Sequence, residues 1–111
     1  MQKYALAQFN LGYIYYINKN IEKALHYYKL AADQNYINAL SNLGYIYYNE
    51  MRIAKDTKKS LFYLKKAADF NSPDAQYNLG KFYLEEDKNS KRDIDKSIYY
   101  LTLSANQYNT D

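Results

Sequence analysis

The chain has 111 residues, of which 48% are hydrophobic and 24% are charged, and its formal net charge is +3. This length suits one domain, and three glycines and one proline are too few for a turn-rich β-sandwich. The absence of cysteine excludes disulfide scaffolds, zinc knuckles and thiol catalysis. No apolar run approaches ~18 residues, and the amino terminus lacks the apolar core of a signal peptide. We therefore expect a cytoplasmic protein without membrane insertion.

Two sequence blocks alternate along the chain, and each occurs three times. The first block covers residues 7–16, 39–48 and 75–84, and its first two copies are identical at eight of ten positions. The second block opens at Lys23, Lys59 and Lys96. Recurrence at 32 to 37 residues is typical of repeat proteins, in which each unit is one supersecondary motif.

Both blocks have the periodicity of an amphipathic helix. In the first block, Ala7, Leu11, Ile14 and Tyr15 recur at i, i+4, i+7 and i+8, which places them on one helical face. Capping signals mark the helix ends: Asn20, Asp56 and Ser72-Pro73 at starts, and Asn35 and Asn71 as left-handed residues at stops. The sequence predicts six helices, at residues 3–17, 21–34, 38–50, 57–70, 73–86 and 94–107, with polar loops at 51–56 and 87–92.

Small residues at repeated positions predict how the helices pack. Gly12, Gly44 and Gly80 lie inside helices, where glycine costs ~1 kcal/mol relative to alanine, so we expect close contact between helices there. The partner helices carry small pairs at Ala31-Ala32, Ala67-Ala68 and Ser104-Ala105, and Tyr15, Tyr47 and Tyr83 would fill the space beside the glycines. We expect the chain to be all-α: a right-handed α/α superhelix, or solenoid, of three helix-turn-helix repeats. The single repeat domain would span 1–111, with repeats at about 3–36, 37–72 and 73–109.

The repeat resembles the Sel1-like repeat family, a branch of the tetratricopeptide-like solenoids, over nearly the whole chain. The resemblance rests on Ala75-Gln76-Tyr77-Asn78-Leu79-Gly80 in a first helix and on residues 23–35, which end in Ala-Ala-Asp-Gln-Asn, in a second. Asparagine stands where the family has glycine after the Ala-Ala pair, and the frequent tryptophan of the second helix is tyrosine here. The resemblance implies an adaptor that binds a protein or peptide partner on its concave or convex surface and has no catalysis of its own.

The resemblance also implies which residues line the concave groove. These are first-helix positions, and six of the twelve are aromatic: Leu6, Phe9, Tyr13, Tyr16, Asn38, Ser41, Tyr45, Tyr48, Asp74, Tyr77, Lys81 and Leu84. Tyrosine offers a large contact area with little loss of entropy, so such a groove suits a peptide with apolar anchors. The alternative is that several of these tyrosines pack between repeats.

Enzyme chemistry finds little support in the sequence. We predict no catalytic residue, metal ligand, cofactor or small-molecule substrate, because no nucleophile–base pair, metal-ligand cluster or phosphate-binding loop is visible. The only histidine, His26, has Phe62 and Tyr99 as its repeat equivalents, and we interpret this position as a packing site. A lysine-rich segment around residues 52–66 together with tyrosine stacking could hold a single nucleic-acid strand. The modest net charge argues against that alternative, as does the position of the lysines away from the aromatic groove.

The ends of the repeat array form a third hypothesis. No additional polar capping helix is visible, and solenoids usually need caps for solubility. We expect either that the chain is a segment of a longer array, or that its open end, including Tyr83, Tyr100 and Leu103, pairs with another copy. The sequence favours the first of these two.

Overall fold

A computed structural model describes residues 2–85 and 93–107 of the chain. The described residues form six helices: α1 (Gln2–Ile17), α2 (Ile21–Ala32), α3 (Ile37–Asn49), α4 (Thr57–Asp69), α5 (Pro73–Leu84) and α6 (Ile94–Gln107). No strand occurs in these two ranges. The six predicted helices are confirmed, and the observed ends lie within two residues of the predicted ones. Residues 51–56 form the predicted loop, whereas the loop predicted at 87–92 lies outside the described residues.

The predicted helix starts are confirmed by hydrogen bonds. The side chains of Asn20, Asp56 and Ser72 each accept a bond from the backbone N–H three residues later, at 3.0–3.2 Å. Each bond satisfies one of the N–H groups that have no partner within the first turn. Pro73 follows Ser72 at the first helical position, where its missing N–H removes no helical bond.

Three residues between helices adopt the left-handed backbone conformation. Asn35 and Asn71, which follow α2 and α4, have φ values of 61° and 69°, as the sequence predicts. Asparagine tolerates this region because its short polar side chain bonds locally. Lys19, between α1 and α2, has φ 67° and carries no such sequence signal.

The two helices of each repeat touch at the internal glycine. A Cβ at Gly12 would lie 2.7 Å from Tyr28 Cδ1, and one at Gly44 or Gly80 would lie 2.5 Å from the Cγ of Leu64 or Leu101. The predicted close contact is therefore confirmed. The atoms that leave no room for a Cβ belong to these larger side chains, which occupy the same position in each repeat. They do not belong to the small pairs that follow in the second helices.

A tyrosine stack lies beside each glycine contact. Tyr15, Tyr47 and Tyr83 each stack on a tyrosine of the second helix, with ring planes within 10° and centroids 5.6–6.0 Å apart. In all three repeats a lysine Nζ lies over the ring of the first-helix tyrosine, which we call the outer ring of the stack, 5.1–5.3 Å from its centroid. Burial raises the pKa of Tyr47 and of its partner Tyr63. These three-layer stacks confirm that the predicted tyrosines fill the space between the helices of a repeat.

Successive repeats pack second helix against first helix, α2 on α3 and α4 on α5. Leu40, Leu43 and Leu79 are fully buried in this core. Within the second and third repeats, buried hydroxyls also link the two helices, since Ser60 and Ser97 donate to the carbonyls of Gly44 and Gly80 at 2.7 and 2.8 Å. Every buried side-chain nitrogen or oxygen in the described ranges has a hydrogen-bond partner.

A tyrosine near the end of each of the first two odd-numbered helices also connects neighbouring repeats. The Tyr16 hydroxyl donates to Glu50 Oε2 at 2.9 Å, and the Tyr48 hydroxyl donates to Glu85 Oε1 at 3.3 Å. The acceptors are the C-cap residues that follow α3 and α5. Glu50 also accepts a two-pronged bond from the Arg52 guanidinium, at 2.7 and 3.0 Å. These bonds lower the pKa of Glu50 from 4.5 to about 2, with the arginine as the largest cause.

The glycine contact gives a first prediction. Gly44→Ala should lower the free energy of unfolding by about 1 kcal/mol, because overpacking a core costs roughly 1–3 kcal/mol while alanine returns only ~1 kcal/mol of helix propensity. Urea unfolding with a stabilising osmolyte measures this. In a Leu64→Ala background, where the clashing atoms are gone, the same substitution should become stabilising. A loss of equal size in both backgrounds would contradict the packing explanation.

The Glu50 contacts predict a dependence of stability on pH. Because folding depresses this pKa, the stabilisation is present above pH 4.5 and is lost as the pH falls towards 2. Glu50→Gln keeps an acceptor for Tyr16 but cannot titrate. Its free energy of unfolding should fall less between pH 4.5 and 2 than that of the wild type, as measured by denaturant titrations at each pH. Parallel curves for the two proteins would show that Glu50 contributes nothing to acid sensitivity.

Candidate functional site

Three half-exposed tyrosines lie on the odd-numbered helices. Tyr13 on α1, Tyr45 on α3 and Tyr77 on α5 are 53%, 48% and 50% exposed. Two cavities lie between these helices. The smaller, of about 140 Å³, is lined by Tyr13, Tyr16, Tyr28, Asn42, Tyr45 and Ile46. The larger, of about 310 Å³, is lined by Ser41, Asn42, Tyr45, Asp74, Tyr77 and Asn78.

Asn42 and Tyr45 line both cavities, so the two form one continuous depression. We call this surface the tyrosine groove, defined by the lining residues just given. Tyr45 lies at its centre, with one cavity on each side. Its position follows from the sequence: Tyr45 comes directly after Gly44, whose backbone is pressed against Leu64, so Tyr45 lies about 100° around α3 from that contact, where it is half-exposed.

The other predicted groove residues have several different environments. Phe9 is directed into the packing, with its ring centroid 5.5 Å from that of Tyr28 and 5.3 Å from that of Tyr36. Ser41 is buried, although it lines the larger cavity. Leu6 and Leu84 are exposed.

Asn38 and Asp74 belong partly to a different surface. Both are exposed and line a third cavity, of about 490 Å³, between the α2–α3 and α4–α5 turns. Asp74 also lines the larger cavity of the tyrosine groove, and thus lies where the two surfaces meet. The only other lining residues of the third cavity are the turn segments 35–37 and 70–73.

Tyr16 and Tyr48 are both half-buried and in contact with the next repeat. Besides its bond to Glu85, Tyr48 meets the Phe82 ring edge-on at 5.4 Å, and Lys55 Nζ lies 3.9 Å from its ring centroid. Tyr16 is held by Glu50. Of the predicted tyrosines, these two have mainly packing contacts, whereas Tyr13, Tyr45 and Tyr77 present their rings to solvent.

The polar side chains that line the groove are amides, hydroxyls and the Asp74 carboxylate, and Lys81 lies beside the groove near Tyr77. The Asn42 side chain hydrogen-bonds the Tyr28 hydroxyl, whose pKa is nevertheless raised by burial. Lys81 Nζ lies 5.6 Å from the Tyr77 ring centroid, and Asp74 is exposed nearby in the larger cavity. The groove can therefore offer aromatic faces, phenol hydroxyls and amide groups to a ligand.

Sequence reasoning missed Tyr28, Ile46 and Asn78 as lining residues. Tyr28 lies on a second helix, and its ring reaches the groove only because it crosses the helix pair beside Gly12. The signal for Asn42 and Asn78 was present in the sequence, since asparagine recurs at one position of all three repeats.

The interpretation of His26 as a packing site is wrong. The side chain is exposed, as are those of its equivalents Phe62 and Tyr99. Each ring lies edge-on to the tyrosine that follows it in the chain, with centroids 5.0–5.1 Å apart. The position accepts three ring types because it lies at the solvent-facing edge of the tyrosine stack.

Four of the six basic residues at 52–66 lie against aromatic rings. Arg52, Lys55, Lys59 and Lys66 have their charged groups 3.9–5.7 Å from the centroids of Tyr16, Tyr48, Tyr47 and Phe62. Such cation–π contacts are local stabilising interactions. None of these four residues lines the cavities of the tyrosine groove.

Within residues 2–85 and 93–107, no group of three or more histidine, cysteine or acidic side chains could hold a metal ion. The helices of this part of the chain are too short and too polar for one of them to cross a membrane.

Two solved structures resemble this fold over 94% of the chain at 26% sequence identity. One is a protective antigen of uropathogenic Escherichia coli with an SLR fold (TM-score 0.86), and the other is a Sel1 repeat protein from Oxalobacter formigenes (TM-score 0.83). The chain spans 23% and 44% of the lengths of these two proteins. No curated protein matches its sequence.

A family model described as the Sel1 repeat matches the chain three times, at residues 5–36, 37–69 and 73–109. Proteins built from this repeat are generally non-catalytic modules for protein interaction or scaffolding. The three matches cover most of the sequence and coincide with the three helix pairs, so the chain belongs to the Sel1-like repeat family.

Proposed function

We propose that this chain is a non-catalytic adaptor that binds a peptide segment of a protein partner in the tyrosine groove. The observation that carries the proposal is the row of Tyr13, Tyr45 and Tyr77, which are half-exposed around two connected cavities. A few residues carry most of the binding energy at protein interfaces, and these are enriched in tyrosine, tryptophan and arginine. Three half-exposed tyrosines around one depression therefore favour a binding surface over an ordinary solvated face.

The chemistry of the lining residues indicates the kind of peptide. Asn42 and Asn78 carry amide groups that can both donate to and accept from the backbone of an extended segment. The phenol rings offer apolar contact area for side chains between these amides. Asp74 is the only charged residue that lines the two cavities. A peptide with aromatic or aliphatic anchors and little net charge would fit this surface best.

Asp74 and Lys81 give the two ends of the groove different character. Both lie near Tyr77, whereas the smaller cavity beside Tyr13 is lined by aromatic, aliphatic and amide side chains. A bound peptide would thus place its apolar anchor beside Tyr13 and its more polar end beside Tyr77. This asymmetry would give the peptide one preferred direction.

The central tyrosine provides the test. Peptides selected from a displayed random library on the wild-type protein would be synthesised, and their dissociation constants measured by fluorescence polarisation. Tyr45→Ala should weaken binding about 30-fold, since a hot-spot side chain contributes ~2 kcal/mol. Tyr99→Ala is the matched control, because Tyr99, at 59% exposed against 48% for Tyr45, is also an accessible tyrosine but lies on α6 outside the groove.

Circular dichroism would first show that both variants are folded. Unchanged affinity in Tyr45→Ala would refute the groove assignment. Loss of binding in Tyr99→Ala alone would move the site to the exposed ring row of the second helices. We expect Tyr99→Ala to bind the selected peptides like the wild type and Tyr45→Ala to bind them much more weakly.

A further inference from the structure

The outer face of α1 carries apolar residues that are exposed, although the residues at the same repeat positions of α3 are buried. Leu11 is 39% exposed, although its repeat equivalents Leu43 and Leu79 are fully buried. Ile14 is 49% exposed, whereas Ile46, its equivalent on α3, is buried. Ala7 is exposed too, and its equivalents on α3 and α5 are inaccessible. These residues form one stripe along α1.

The outer face of α6 shows the complementary pattern. Ala105 is exposed, whereas its equivalents Ala32 and Ala68 are buried. Ile98 is 58% exposed, and the leucines at its position in α2 and α4 are half-buried. Leu101 is half-buried, whereas Leu64 at the same position of α4 is buried. The stripe on α6 runs through these three positions. The open end predicted from the sequence is different, because Tyr83 and Tyr100 stack on each other inside the third repeat and Leu103 is half-buried.

The internal repeats show what covers each stripe. The α1-type stripe on α3 and α5 is covered by α2 and α4, the second helices of the preceding repeats. The α6-type stripe on α2 and α4 is covered in turn by the following first helices. By analogy, the exposed stripe on α1 is a surface on which a second helix can pack, and the stripe on α6 is a surface on which a first helix can pack.

We propose that copies of this chain associate head to tail, with α6 of one copy packed on α1 of the next. One chain carries both halves of the interface, which is why a second copy is the occupant. The contact would repeat the packing of α2 on α3 and of α4 on α5. Because the two halves are different surfaces, the contact is heterologous and leaves one free stripe of each kind on a dimer, so association continues beyond the dimer.

Two internal contacts between repeats have equivalents at this joint. Gln76 Nε2 donates to the Ala68 carbonyl at 3.4 Å, and Gln8 and Ala105 occupy the same repeat positions. Gln8 is therefore placed to donate to Ala105 of the preceding copy. Similarly, Phe9 contacts the ring of Tyr36, and the exposed Tyr4 and Tyr77 would form that pair across the joint.

The joint is also more apolar than the internal interfaces. Tyr16 and Tyr48 bond to glutamates of the next repeat, but the third repeat has the exposed Leu84 at that position. The joint lacks this hydrogen bond and relies on apolar contact. We therefore expect an association weak enough to be reversible and dependent on protein concentration.

Sedimentation velocity over a range of concentrations tests the proposal with one substitution at each end. Ile14→Lys places a charge on the α1 stripe, and Ile98→Lys places one on the α6 stripe. The wild type should show an average mass that rises with concentration past that of a dimer. Each variant alone should remain monomeric, because every contact needs one intact stripe of each kind.

An equimolar mixture of the two variants should form a dimer and stop there, since Ile14→Lys retains the α6 stripe and Ile98→Lys retains the α1 stripe. The matched control is Ile17→Lys. Ile17 is 55% exposed on the same helix as Ile14, but its equivalents Asn49 and Glu85 are also exposed, so it lies outside the stripe. This control should associate like the wild type.

Three results would overturn the proposal: a wild type that stays monomeric at its highest soluble concentration, end variants that still associate, or a mixture that stays monomeric. An end variant that still associates would indicate a symmetric contact between like ends. Circular dichroism checks that all variants are folded, which is expected because the substituted side chains are exposed. The substituted positions do not line the tyrosine groove, so this result is independent of the peptide measurement.

Discussion

The contact between an internal glycine and one large side chain fixes the geometry of each repeat. At Gly44 the second helix lies so close that a single added carbon would meet Leu64 at 2.5 Å. This distance brings the Ser60 hydroxyl within 2.7 Å of the Gly44 carbonyl and lets Tyr47 and Tyr63 stack in parallel. The glycine costs helix propensity, but it permits dense packing in a short helix pair that cannot bury its apolar surface alone.

The sixteen tyrosines perform different tasks that depend on their position in the repeat. The tyrosines that lie three positions after each glycine stack inside the repeat, as Tyr15 does on Tyr27. The tyrosines that lie four positions after the first two glycines are Tyr16 and Tyr48, and they hydrogen-bond to the next repeat. Those immediately after the same glycines, Tyr13 and Tyr45, face solvent. A helix rotates by about 100° per residue, so a shift of a few positions changes the neighbour of each ring.

The same geometry explains why a basic chain has no basic groove. Lys23, Lys59 and Lys96 open the second helices one turn before the stacked tyrosines, and each ammonium lies over the outer ring of its stack. The lysines thus occupy the end of the helix pair, while the groove lies on the face of the first helices. The lysine charges therefore lie at the edges of the repeats, and the face between Tyr13 and Tyr77 carries mainly aromatic and amide groups.

The fold could be predicted from the sequence because its determinants are local and occur three times. Helix starts follow from caps such as Ser72, and the close contacts follow from glycines at one repeated position. The candidate site could be predicted only in part, because exposure depends on what the next repeat places opposite a side chain. Phe9 and Tyr77 occupy the same repeat position, yet Phe9 packs against Tyr36 and Tyr77 faces solvent. Where a repeat ends the stack, a position that is packed in one repeat becomes surface in another, and a pattern shared by all repeats cannot distinguish the two.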